Sequence, residues 1–216
     1  MTKIIFTTAQ DLKAAPIQSK QVIMVMPFVD QSMAERAAVL AAARSGFAKD
    51  DQSIVLAVHD TQQQGFVATL NQAFAATQSP WLGYMAQDAF AGRNWLALAL
   101  QKMQSQTGAA LLGFNDGKWQ GQLASFGLAR RDWIRKVYTD AFFFQGYHSH
   151  FADAELTLVA RQQGVYAYEP QSVLVEVDWQ KDQAAVNDAD RRLFATRKKT
   201  GFGNRVSDDK WLNFIS

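Results

Sequence analysis

Apolar and polar positions fall along this chain in blocks long enough to define elements. Short apolar runs at residues 3–7, 22–26, 53–58 and 81–85 have the length of buried strands. Between them lie segments of helical period. Residues 32–45 are alanine-rich, with Ser32 read as the N-cap, Glu35 completing a capping box and Gly46 as the stop. Residues 66–76 put Phe66, Leu70 and Phe74 on one face, and residues 94–104 form a third helix. The order β-α-β-α-β-α implies parallel strands, right-handed crossovers and a three-layer α/β/α sandwich.

Past Gly108 the texture changes. Residues 109–114 form a strand, Asn115-Asp116-Gly117 is a hairpin-type turn signal, and residues 118–126 are expected to return antiparallel, making the sheet mixed but mostly parallel. Residues 130–137 begin another helix, the aromatic segment 142–147 follows, and helical spacing resumes over 153–162 until Gly164. Residues 165–168 and 172–177 are two further strands around Pro170. From residue 180 the chain is charged and interrupted: a basic amphipathic helix at 190–199, a break at Gly201-Phe202-Gly203, and an apolar end in Trp211, Leu212, Phe214 and Ile215 that should dock on the body. The expected organisation is a domain over residues 1–179 and a C-terminal helical extension over 180–216.

Composition narrows the function classes. With 216 residues, 48% of them apolar, the chain can bury a sizeable core. A net charge of +2 supplies no global field for nucleic acid. There is no cysteine, so any metal must be held by oxygen or histidine. No apolar run reaches the roughly 20 residues that span a bilayer. The expected setting is cytoplasmic, at most peripheral to a membrane through the basic segment 191–199, and a homo-oligomer is compatible with it.

The chemistry-bearing residues collect at strand ends. The run 53–58 delivers His59-Asp60 and the run 81–85 delivers Ala86-Gln87-Asp88, so two acids end consecutive strands on the edge where α/β sheets bind ligands. Asp153 begins a later helix, where the dipole favours an anion. Each also has a plainer reading: Asp60 and Asp88 as turn acids, Asp153 as a first-turn acid, Glu155 as a solvated helical acid. His148 and His150 read as metal ligands on one side of an extended segment or as ordinary loop residues.

In this order the chain resembles the family 2 glycosyltransferases of the GT-A fold, from about Val22 to Asp178-Trp179. Residues 22–30 look like the family's first strand and loop, with Val29-Asp30 in place of the usual aromatic-Asn pair. Asp60 matches its nucleoside-binding acid, and Asn71 lies in a stretch similar to the helix before the sugar-nucleotide strand. Ala86-Gln87-Asp88 fills the slot of the Asp-x-Asp motif, with Ala86 lacking a ligand atom. The stretch 146–156 resembles the motif of the catalytic base.

The resemblance implies Asp153 as catalytic base and Pro27, Phe28, Asp60, Asn71 and Asp88 as donor-binding residues. It implies Asp88, Glu176 and Asp178 as ligands of a divalent cation, manganese or magnesium. The expected activity is metal-dependent, inverting transfer of a sugar from a nucleotide-diphosphate sugar to a glycan, lipid or protein acceptor, as in polysaccharide biosynthesis. A catalytically silent module of this fold is the alternative that Ala86 motivates. A nucleotidyltransferase ranks last, since residues 27–31 contain no glycine for a phosphate loop.

Overall fold

Seven consecutive buried residues, Val22–Phe28, make a strand covered on both faces, as expected of a continuous apolar run inside a parallel sheet. The computed structural model describes residues 2–13, 16–48, 53–176 and 186–214. Its strands are β1 (Lys3–Thr8), β2 (Ile17–Gln18), β3 (Val22–Phe28), β4 (Ile54–His59), β5 (Thr77–Gln78), β6 (Trp81–Tyr84), β7 (Ala89–Ala91), β8 (Leu111–Asn115), β9 (Gly127–Arg130) and β10 (Tyr166–Glu176). The longer helices are α1 (Gln31–Ala43), α2 (Phe66–Ala76), α3 (Trp95–Ser105), α4 (Arg131–Tyr138), α5 (Ala152–Gln162) and α6 (Asp188–Lys199); α7 (Gly201–Asn204) and α8 (Asp209–Leu212) are single turns.

The main sheet has eight strands in the order β1-β4-β3-β6-β9-β8-β10-β7, and β2 pairs with β5 apart from it. β1, β4, β3 and β6 are mutually parallel, β9 is antiparallel to both its neighbours, and β10 is parallel to β8. Alternation along β3 divides the core. Met24 and Met26 face the layer of α1 and α3, while Ile23 and Val25 face the layer of α2, α4 and α5. The expected three-layer α/β fold with a mostly parallel mixed sheet is therefore present.

Phe194 of α6 and Phe202 of α7 belong to the same core cluster as Ile23 and Val25, and Trp211 and Leu212 pack against it. The expected boundary near residue 179 falls in 177–185, outside the described residues. Among the described residues no helix is long and apolar enough to cross a membrane.

Several local expectations are corrected. Asp30, not Ser32, caps α1: its Oδ1 accepts the Met33 N–H at 2.9 Å, and the Ser32 hydroxyl donates to the same oxygen at 3.0 Å. Residues 118–126 form no strand, because Asp116 gathers them: Oδ1 accepts the N–H groups of Lys118 and Trp119, and Oδ2 accepts the Ser125 hydroxyl. The antiparallel return starts only at Gly127. The two strands expected around Pro170 are one, β10, whose register shifts between Glu169 and Val173. The short β7 has no counterpart in the sequence pattern, since three residues carry no periodicity; it pairs antiparallel with the end of β10. Gly46 is required where it stands, at φ +85° and with a Cβ that would lie 2.9 Å from the Asn94 backbone at the start of α3.

Candidate active site

The carboxyl ends of β3, β4 and β6 open onto two abutting clefts. The first, about 530 Å³, is lined by Pro27, Phe28, Asp60, Gly65, Asp88 and His148 among others. The second, about 600 Å³, includes Tyr84, Lys118, Trp119, Asp153 and Glu176. Phe66, Ala86 and Ser149 line both. The topology explains the crevice, since β3 leads to α1 on one face of the sheet and β4 leads to α2 on the other.

The floor of the first cleft is built by register. Phe28 and His59 are cross-strand partners, and their rings stack at 4.8 Å and 12°. Asp60 is buried, with Oδ1 accepting the Gln64 N–H at 3.0 Å and Oδ2 the Gly65 N–H at 2.8 Å. Each carboxylate oxygen keeps acceptor capacity after one such bond. Gly65 has φ +97°, and a Cβ there would meet the His148 carbonyl oxygen at 2.6 Å, so the loop after β4 and the 148–150 turn are pressed together. Gln87, which also lines this cleft, clamps the loop after β3: its Oε1 accepts the N–H groups of Val29 at 2.8 Å and Asp30 at 3.0 Å.

Asp88 is buried beside that clamp. β7 begins at the next residue, and Ala89 is the register partner of Glu176, which brings the exposed Glu176 to within one residue of Asp88 along the paired strands. Asp88 lines the first cleft and Glu176 the second; Asp178, the remaining member of the expected ligand set, lies outside the described residues. Among the described residues no group of three or more His, Asp or Glu side chains is arranged as a metal site.

Asp153 lies in the first turn of α5, behind Phe151 in the left-handed region at φ 66°. Burial pushes its carboxyl up to about 6; backbone N–H groups oppose this, and the nearby Asp116 charge adds to it. That is the range in which a carboxylate serves as a base near neutral pH.

Asn71 lines neither cleft. Its Oδ1 accepts the N–H groups of Phe142 and Phe143, both at 2.9 Å, and its Nδ2 donates to the Phe143 carbonyl at 3.1 Å. Phe142 and Phe143 are core residues in edge contact with Tyr84. His148 and His150 belong to a loop, their N–H groups bonded to Asp190.

Apolar periodicity gives no sign of several groups that shape the site. Glu155, read as solvated, is fully buried, accepting from Tyr138, Tyr147 and both Nε and Nη2 of Arg197. Its charge raises the two phenols, after burial itself. Trp119, 37% exposed, stands at the second cleft beside Lys118, in a stretch expected to be strand. The signals available were the Asn115-Asp116-Gly117 turn and the i, i+4, i+7 spacing of Asp190, Phe194 and Arg197, which mixes acid, aromatic and base and so shows no apolar periodicity.

The sequence matches no protein-family model and no curated protein. The fold does match solved structures. S. aureus TarS 1-349 superposes with a TM-score of 0.57 at 10% identity, over 88% of this chain and 76% of that one. Glucosyl-3-phosphoglycerate synthase from Mycobacterium tuberculosis, solved with Mn2+, uridine diphosphate and glucosyl-3-phosphoglycerate, superposes with a TM-score of 0.58 at 11% identity, over 96% and 89%. A Drosophila β1,4-galactosyltransferase 7 in complex with manganese, UDP-Gal and xylobiose gives 0.57 at 10% identity, over 76% and 74%. The chain has the GT-A fold of nucleotide-sugar glycosyltransferases.

Proposed function

We propose that the protein is a glycosyltransferase that moves a sugar from a nucleotide-diphosphate donor to a hydroxyl acceptor with inversion. One observation carries the reading: the cleft with Asp60 and Asp88 abuts the cleft with Asp153, and Phe66, Ala86 and Ser149 form their common wall. Neighbours of the same fold are complexes with nucleotide diphosphates or nucleotide sugars and divalent cations, in agreement with it.

In this reading Pro27, Phe28 and Asp60 hold the nucleoside and Asp88 lies at the diphosphate. The acceptor, a glycan, lipid or protein hydroxyl, enters beside Trp119. Asp153 takes the hydroxyl proton as that oxygen bonds to the anomeric carbon, and the bond from that carbon to the diphosphate oxygen breaks on the opposite face. A divalent cation, manganese or magnesium, would neutralise the leaving diphosphate. The donor set fits a hard cation held by few protein ligands: Asp88, with Glu176 brought near it by the β7–β10 pairing and Asp178 as a further candidate, leaves most positions to phosphate oxygens and water.

Calorimetry with UDP and GDP, each with and without manganese, tests the reading. Binding that requires metal and weakens in Asp88→Asn is expected; no binding of either nucleotide would overturn it. Ala86, which lines both clefts where a carboxylate would complete an Asp-x-Asp pair, favours a second reading, a binding module without turnover. Donor hydrolysis that disappears in Asp153→Asn would exclude that reading.

A further inference from the structure

Three side chains on one face of α6 reach the segment that carries Asp153. Asp190, 2% exposed, accepts three successive backbone N–H groups: His148 on Oδ1 at 2.8 Å, then Ser149 and His150 on Oδ2 at 2.9 and 2.8 Å. Phe194, four residues on, stacks against Phe151 at 5.0 Å and 26°. Arg197, three further, closes a bidentate pair on Glu155 at 2.6 and 2.7 Å. Steps of four and three residues keep all three on one side of a helix.

What they hold has little local means of holding itself. α5 starts from Phe151 in the left-handed region with no side-chain cap on its first turn, a conformation that persists where surrounding contacts impose it. The 148–150 turn just before it serves both clefts: His148 and Ser149 line the first, and Ser149, His150 and Phe151 line the second. A buried carboxylate is a costly way to fill space, and its contribution here is direction, since three N–H donors must converge on two oxygens.

We propose that Asp190 is a positioning residue: by gathering the N–H groups of residues 148–150 it fixes the turn that walls the donor cleft and aims the start of α5, and with it Asp153, at the acceptor. Its link to the reaction rests on the transferase reading above; the clamp on the turn does not. Asn at 190 keeps one oxygen acceptor and turns an amide toward the remaining N–H, so it should release part of the turn, while Ala should release all of it.

Asp190→Asn and Asp190→Ala, in the full chain, are to be compared with the unmodified protein by site-resolved hydrogen exchange and by steady-state kinetics normalised to the folded fraction. We expect exchange at 148–150 to quicken by about tenfold or more with α3 unchanged. We also expect kcat to fall by up to about a hundredfold, the cost of a displaced catalytic group, with donor KM rising several-fold and Asn milder than Ala. If Ala fails to fold, the Asn variant carries the test. Unchanged exchange at 148–150, or a kcat within twofold of the unmodified protein, would overturn the proposal. So would a fall in activity that only tracks the folded fraction with both KM values unmoved. Failure of the unmodified chain to bind nucleotide would overturn the transferase reading instead, and the exchange result would still decide the clamp.

Discussion

Asp153 shows how one side chain is set by what surrounds it. Its folded value of about 6 lies above the ordinary 3.8, so the folded chain holds the proton more tightly than the unfolded one. Stability is therefore greatest with the carboxyl protonated and falls as pH rises from about 4 through 6. Asp153→Asn, which cannot ionise, should be more stable than the native chain at pH 7–8 by up to about 3 kcal/mol and no different below about pH 4, as urea unfolding at several pH values would register. On the transferase reading proposed above, the same substitution should lower kcat by about 10²- to 10⁴-fold, and in the unsubstituted chain the acid limb of the rate profile should fall near pH 6. Asp30 acts more locally: losing its cap on α1 in Asp30→Ala should lower the midpoint of thermal unfolding, while Asp30→Ser, which can still cap, should not.

At the scale of elements, α5 and α6 are joined by a buried ion pair. Glu155 is wholly enclosed and its bonds to Arg197, Tyr138 and Tyr147 use both oxygens, so breaking the set leaves a buried charge or unsatisfied phenols. Arg197→Met should cost about 3–5 kcal/mol in denaturant unfolding, far above the median of exposed pairs such as Arg191 with Asp188. The β7–β10 pairing makes a different claim. If it brings Glu176 to the cation of Asp88, Glu176→Gln should weaken manganese-dependent nucleotide binding without altering the melting temperature by more than a degree or two, since Glu176 is exposed.

For the whole molecule, the C-terminal helices complete one layer of the sandwich. Phe194, Phe202 and Val206 are buried in the same cluster as β3 and β6, each large side chain contributing about 1.5–3 kcal/mol of burial. Removing residues 186–216 would uncover that cluster and release both the 148–150 turn and Glu155. We expect the shortened chain to lose cooperative unfolding in calorimetry; a sharp transition with nucleotide binding intact would show the layer to be dispensable.

The sequence by itself determined the elements whose burial is uniform or strictly periodic. The runs of β3 and β4 and the spacing of α2 fixed strand, helix and layer, because apolar residues on a 3.6 or continuous pattern have few other ways to leave water. It also put Asp60, Asp88 and Asp153 at element ends, which the fold gathers on one edge of the sheet. Only the tertiary structure decided what polar residues bond to. On paper Ser32 is the cap of α1, and the chain's entry into the helix gave that place to Asp30. Asp116 turned a predicted strand into a coil, Asn71 went to the backbone of Phe142 and Phe143, and Glu155 and Asp190, acids in first turns that suit solvent, became buried anchors. A hydrogen bond or ion pair between residues 40 apart leaves no periodic trace in either segment, whereas burial of a whole face does.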